Sequence, residues 1–311
     1  MAAGAYRAWG IAFALIGVVA FSMRPLLVKL SYAVPTASGA AVSPVTLLFL
    51  RMVISLPFFA AIAWWLRGRE PRLTGRDWMA IAALGFVGYY LASFLDFLGL
   101  QYIGAGLGRL ILFLYPTLVV LLSFLFLHRH ATRRELAALL ISYAGIALVV
   151  ADRLGTHAEG TLFLFGVLLV FASGLCYAIY LVAGSAMVRR IGSMRFTAYT
   201  MIVSTLPAVA QFFALEPLSA LELPAAVWWY ASIMATLATV LPVFLVAEAL
   251  RRIGANHFAL IGAVGPVTTA IAGALGLEEP FTVLQVAGGL VVIFGVLLVS
   301  LKPAPPAAGP R

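Results

Sequence analysis

Residues 103–116 read IGAGLGRLILFLYP, and residues 253–266 read IGANHFALIGAVGP. At this spacing of 150 residues, Ile103, Gly104, Ala105, Leu110, Ile111 and Pro116 recur as Ile253, Gly254, Ala255, Leu260, Ile261 and Pro266. The offset holds elsewhere without a gap: Val53, Leu56 and Pro57 recur as Val203, Leu206 and Pro207, and Gly145, Leu148 and Val149 as Gly295, Leu298 and Val299. Apolar coincidences are common in so apolar a chain, but two prolines in one frame are not. The chain reads as two copies of one unit.

Composition says where those copies sit. The 311 residues are 64% hydrophobic and 10% charged, with a mean hydropathy of +1.08, against roughly 25% charged in an ordinary globular domain. Apolar runs of about 20 residues recur from end to end, separated by short polar breaks, which excludes a water-soluble domain and predicts a polytopic helical membrane protein. The net charge of +9 would suggest nucleic acid in a soluble protein. Here the basic residues read as loop anchors in a lipid bilayer, and no nucleic-acid partner is expected. The lone Cys176 lies in an apolar run, so neither a disulfide nor a thiol metal site is expected. Arg7 and the apolar run after it are read as the first span and not as a signal peptide. No small-residue cleavage site follows, and Arg24-Pro25 lead on into further apolar sequence.

Ten spans are predicted, at 8–31, 43–66, 78–101, 105–127, 134–151, 160–187, 196–215, 225–250, 256–276 and 281–301. Loops after even-numbered spans are basic: Arg67, Arg69, Arg72 and Arg76, then Arg129, Arg133 and Arg134, then Arg189, Arg190 and Arg195, then Arg251 and Arg252, and finally Lys302 and Arg311. The alternate loops hold only Arg153. This bias places both termini in the cytoplasm and the chain in a bacterial inner membrane. Five spans per copy, an odd number, make the copies enter the membrane from opposite sides. The hairpins agree: His128-Arg129-His130-Ala131-Thr132 in one copy stands against Glu278-Glu279-Pro280-Phe281-Thr282 in the other. The predicted fold is all-α and integral to the membrane, ten transmembrane helices in two inverted five-helix repeats. The repeats span 1–152 and 153–302, followed by a cytoplasmic tail at 303–311.

Trp9, Trp64, Trp65 and Trp78 near one interface, with Trp228 and Trp229 near the other, read as an aromatic belt. Pro57, Pro116, Pro207 and Pro266 lie within spans at symmetric positions, where a missing backbone hydrogen bond would bend helices and let paired helices rock. A static kink for packing is the alternative.

The sequence at this point resembles the drug/metabolite transporter superfamily, in its ten-helix form built from two EamA repeats. The resemblance covers essentially the whole chain. It rests on the small-residue start of the fourth helix of each repeat, the in-helix prolines of Tyr115-Pro116-Thr117 and Gly265-Pro266-Val267, and the glycine-bearing last helices LLISYAGIALVV and VAGGLVVIFGVLLV. LGLEEPFTVLQVAGGL is similar to the family's hairpin, so Glu278 or Glu279 stands at the family glutamate. The first copy carries His128 and Arg129 there instead, and the glutamate is read as structural. Arg51 also stands at a recurring family position. The resemblance implies a secondary transporter with no cofactor. It also implies a central cavity lined by helices one, three, four, six, eight and nine, which puts Tyr89, Tyr90, Tyr115, Tyr177 and Tyr180 among the pocket candidates. Packing with a satisfied hydroxyl is the plainer role for each.

Six charges remain inside the spans: Arg24, Lys29, Arg51, Arg109, Asp96 and Glu248. A charge at the bilayer centre costs about 2.5–3.5 kcal/mol on insertion scales, so each needs a partner, water or a function. Five of them fall in the outer half of the first repeat, where Arg24, Arg51 and Arg109 read as a basic vestibule for an anionic or carboxylate-bearing solute. The competing reading is an ion-paired knot holding spans one to four, with Lys29 reaching outward. Asp96 and Glu248 are the candidates for coupling to protons, since an apolar setting disfavours a charged carboxylate. For Glu248 a local salt bridge to Arg251 and Arg252 competes.

The sequence contains no Walker motif, and GAGLG at 104–108 begins a membrane helix with no strand before it, so no nucleotide is expected. The expected function is a secondary transporter, an exporter of amino acids or related carboxylate-bearing solutes, working as a monomer or homodimer. Cationic multidrug efflux is the alternative within transport. An intramembrane enzyme on lipid-linked substrates is the alternative outside it, and only His128 and His130 offer residues for one.

Overall fold

The structure, a computed structural model, describes residues 2–36, 39–68, 72–127, 132–154, 160–279 and 282–300, with side chains at 2–4, 153–154 and 255–256 excepted. His128, Arg129, His130 and the tail at 303–311 lie outside the described residues. Regular structure among the described residues is entirely helical: α1 (Ala2–Ser22), α2 (Arg24–Ala33), α3 (Pro44–Trp65), α4 (Gly75–Gly85), α5 (Ala92–Gly99), α6 (Ala105–Leu112), α7 (Tyr115–Leu127), α8 (Arg133–Leu154), α9 (Gly160–Ile191), α10 (Ser193–Leu215), α11 (Ala225–Ala235), α12 (Leu241–Gly262), α13 (Val264–Leu277) and α14 (Val283–Ser300). They make ten spans long and apolar enough to cross a bilayer, from Ala5–Ala33 to Val283–Ser300, as the hydropathy pattern predicts. With ten spans, α1 begins and α14 ends at one face of the bundle, called here the terminal face; the first span ends at the opposite face.

Proline chemistry explains the broken spans. Proline has no N–H and its ring collides with the carbonyl four residues earlier. Accordingly α6 ends at Leu112, four before Pro116, and α12 ends at Gly262, four before Pro266. The first span breaks at Met23, just ahead of Pro25. Pro57 and Pro207 behave differently, lying within α3 and α10, which run without interruption. Between α4 and α5 the helix widens to a π-turn at Phe86–Leu91, and between α11 and α12 it does so at Thr236–Val240, 150 residues on. Span eight stops at Gly254, whose φ of 72° glycine adopts without strain.

Capping follows the same repeat. Thr132 and Glu135 at the start of α8, and Thr282 and Gln285 at the start of α14, each exchange side-chain and backbone hydrogen bonds in a capping box.

The packing obeys the repeat as well. Span one packs on span eight (α1 on α12) and span six on span three (α9 on α5). Span four packs on span six (α7 on α9) and span nine on span one (α13 on α1). The pairs two–seven, four–nine and five–ten (α3 on α10, α6 on α13, α8 on α14) map onto themselves. Advancing every span by five returns the same neighbours, which is a twofold relation between the halves. Small residues permit the closest approach. A Cβ on Gly145 would lie 2.8 Å from the Gly288 carbonyl oxygen, and one on Gly288 would lie 2.5 Å from the Val149 side chain. Without a hydrophobic drive between helices in lipid, such close van der Waals contact holds α8 and α14 together.

Candidate functional site

The break at Met23 starts α2 on Arg24, and α6 carries Arg109 just ahead of its own break, so two guanidiniums converge between the bundle centre and the opposite face. Both lie against the Phe21 ring, at 4.9 Å for Arg24 and 4.7 Å for Arg109. Arg24 donates to Asp96 Oδ2 from α5 at 3.2 Å, and Asp96 is only 1% exposed. Asp96 therefore has an ion-pair partner across helices, 72 residues away in sequence. Arg109 Nη2 reaches Ser22 Oγ at 3.4 Å.

Arg51 is the most deeply buried of the three, at 1% exposure. Its Nη1 donates to Ser93 Oγ at 2.7 Å and its Nε to Thr239 Oγ1 at 3.2 Å, so hydroxyls from both halves hold it. The Phe97 ring lies 5.7 Å from its guanidinium. Neutral partners satisfy its geometry but leave its charge uncancelled. Among the described residues Asp96 provides the one carboxylate set against Arg24, Arg51 and Arg109. Three buried polar atoms of the group, Arg24 Nε, Arg109 Nε and Asp96 Oδ1, have no hydrogen-bond partner. Burying such atoms without partners costs on the order of 1–3 kcal/mol each.

From Arg109 a string of tyrosines crosses the middle of the bundle. Tyr115 meets Tyr177 edge-on at 5.4 Å, Tyr177 stacks on Tyr180 at 6.0 Å, and Tyr180 meets Tyr89 edge-on at 5.1 Å. The hydroxyls of Tyr89 and Tyr180 lie near each other and near Thr197. Tyr89, Tyr115 and Tyr177 keep part of their surface accessible although they lie deep in the bundle. Tyr90 stands apart, packing on Phe86 at 5.1 Å. The π-turn sets this geometry: it carries Tyr89, and Gly88 beside it leaves the space that the Tyr180 ring fills.

Glu248 lies elsewhere, near the terminal face, clamped by Arg251 Nη2 at 2.6 Å and Arg252 Nε at 2.7 Å. It is part of a helix-surface salt bridge and does not meet Asp96. Lys29 reaches to the end of span three, donating to the Leu100 carbonyl at 3.1 Å. Sequence reasoning missed Ser22, Phe21, Ser93 and Thr239, whose types are ordinary in membrane helices and whose roles depend on contacts across helices.

A cavity of about 900 Å³ lies near the opposite face between α2, α6, α13 and α14. Its walls include Lys29 and Glu279 but none of the eight tyrosine and arginine candidates. Glu279 accepts from Ala105 N at 2.7 Å and from Gly106 N at 3.3 Å, capping α6 from the other half of the chain. Glu278, with φ of 52°, is the one non-glycine of positive φ among the described residues, and its turn carries Glu279 across. Glu279 is thus an inter-repeat helix cap.

Ten apolar helices, a twofold-related packing and an accessible, charged interior define a multi-pass membrane transporter. The model of the EamA-like transporter family matches the chain twice, over residues 8–151 and 164–301, and the chain belongs to that family. It is 30% identical over 291 residues to the uncharacterized transporter YcbK of Bacillus subtilis (strain 168), covering 90% of this chain and 88% of that protein. It is also similar to an uncharacterized transporter of Archaeoglobus fulgidus, at 27% identity over 83% of this chain and 88% of the relative. A solved crystal structure superposes with a TM-score of 0.60 at 17% identity, covering 94% of this chain and 96% of that one, a likeness of fold alone.

Proposed function

We propose that this transporter moves a small carboxylate-bearing metabolite, with export of an amino acid or a related solute the favoured case. The observation that carries the reading is the charge imbalance: three arginines face one aspartate, and two of their Nε donors have no partner. A carboxylate entering between Arg24, Arg51 and Arg109 would offer the bidentate geometry that guanidinium favours and would supply the missing negative charge. The excess positive charge weighs against cationic drugs as substrates.

In this reading the substrate competes with Asp96 for Arg24. Asp96, released from its partner in an apolar setting, takes a proton, and that exchange couples transport to a proton gradient. The tyrosine string offers hydroxyls and ring faces along the path from the arginines toward the terminal face. Rocking of the paired halves about their broken helices would expose the site to each side in turn. The arginine-rich loops at the terminal face support reading that face as the cytoplasmic side of a bacterial inner membrane.

The test is counterflow in proteoliposomes across amino acids, organic acids and quaternary amines. Carboxylate-bearing solutes should exchange, whereas movement of quaternary amines alone would overturn the reading. Asp96→Asn should flatten the pH dependence of exchange; an unchanged pH profile removes Asp96 as the proton site.

A further inference from the structure

The 900 Å³ cavity differs from the arginine site in position, lining and access. It lies between α13 and α14, which are consecutive in the chain yet pack less closely on each other than their counterparts α7 and α8 do. Val267 and Ile271 on one wall, and Val286 and Leu290 on the other, line the cavity while remaining substantially exposed, Leu290 at 60%. The cavity wall is therefore continuous with the apolar outer surface of the spans. Along α14 it reaches from Gln285 to Ile293, and along α13 from the helix end at Leu277 back to Pro266. Rises of eight residues on α14 and eleven on α13, at about 1.5 Å each, make a slot about 12–16 Å deep, close to half of a hydrocarbon core of about 30 Å. The slot is one leaflet deep.

Its mouth carries Lys29, which donates to one backbone carbonyl and forms no ion pair among the described residues. Glu279 faces the same mouth and attracts Lys29, but its two oxygens are engaged by the Ala105 and Gly106 amides at the positive end of α6. The ammonium remains the group able to meet an incoming anion.

We infer that the slot between α13 and α14 holds one acyl chain of an anionic phospholipid from the adjoining leaflet, with the headgroup phosphate drawn to Lys29. A long cationic side chain near a helix end and an apolar groove open to lipid are the two halves of that ligand's chemistry. A water-soluble metabolite matches neither the apolar walls nor the lateral opening. At the twofold-related position α7 contacts α8.

The experiment uses the full chain in phosphatidylcholine vesicles containing a minor fraction of phosphatidylglycerol with a photoactivatable diazirine on its acyl chain. Crosslinks mapped by mass spectrometry should concentrate on α13 and α14 around Ile271 and Leu290. They should fall several-fold in Lys29→Met and return in Lys29→Arg. Leu290→Trp, at an exposed position, should block labelling in the slot while leaving labelling on α1 and α3 unchanged, which also reports that the variant is folded. Labelling spread evenly over all lipid-facing helices would overturn the site. Equal labelling by the phosphatidylcholine analogue, or indifference to Lys29→Met, would overturn headgroup recognition. Displacement of the probe by oleate but not by phosphatidylglycerol would assign a free fatty acid and overturn the phospholipid. None of these readouts requires transport, so they stand or fall apart from the carboxylate reading.

Discussion

The two halves of this chain share a backbone plan and differ in their charge. Breaks, π-turns and caps recur 150 residues apart: Phe113 with Ala263, Phe86–Leu91 with Thr236–Val240, and Thr132 with Thr282. The polar interior does not recur. Arg24, Arg51, Asp96 and Arg109 stand opposite Gly174, Met201, Val246 and Ala259, and Tyr89 and Tyr115 opposite Thr239 and Gly265. Symmetry is kept where the backbone must pack and bend, and it is lost where a ligand would be met. A strictly repeated site would place like charges in both halves and double the burial cost, about 2.5–3.5 kcal/mol for each charge at the bilayer centre.

The comparison breaks most sharply at Arg51. Arg51→Met installs the residue of the other half and should lower counterflow by roughly 10–100-fold, the worth of charge-assisted hydrogen bonds at about 1.5–3 kcal/mol. Met201→Leu should change exchange little. Equal losses in both variants would mean that the halves share the site. Loss of monodisperse protein in detergent for Arg51→Met would instead make the arginine a structural knot.

Where the halves are alike, substitutions should cost alike. Gly145→Ala and Gly295→Ala insert a methyl into the same α8–α14 contact from its two sides, and each should destabilise by about 1–3 kcal/mol through overpacking. Thermal unfolding in detergent measures both, and a several-fold difference in the two penalties would refute the packing symmetry. The Glu279 cap has no described counterpart in the first half. Glu279→Ala leaves two α6 amides without their acceptor and should cost about 0.5–2 kcal/mol. Most of that loss should appear in stability, with exchange largely retained. Smallest of all, Glu248→Gln removes a partly exposed clamp worth about 0–1 kcal/mol and should leave the pH profile unchanged. A flattened profile would return Glu248 to the proton pathway.

The ten spans were legible because hydrophobic length is a local property: a run of apolar residues must match the bilayer wherever its neighbours lie. The repeat was legible for the same reason, and Pro116 and Pro266 marked the broken helices because a proline acts on the turn just before it. Glu248, too, was readable as a salt bridge, since Arg251 and Arg252 follow it on the same helix face.

Which charges meet was decided only by the tertiary structure. Arg24 and Asp96 are 72 residues apart and Arg51 and Thr239 are 188 apart, and hydropathy does not specify the rotation of one apolar helix against another. That rotation follows from where glycines let backbones approach and where π-turns shift the register. Those same contacts set Tyr89 beside Tyr180, sent Glu279 across to cap α6, and left α13 less closely packed on α14 than α7 is on α8. The sequence by itself determined a ten-helix, twofold-related transporter with an unbalanced positive interior. Packing decided which arginine the aspartate neutralises, which one only hydroxyls hold, and where the wall of the bundle opens to lipid.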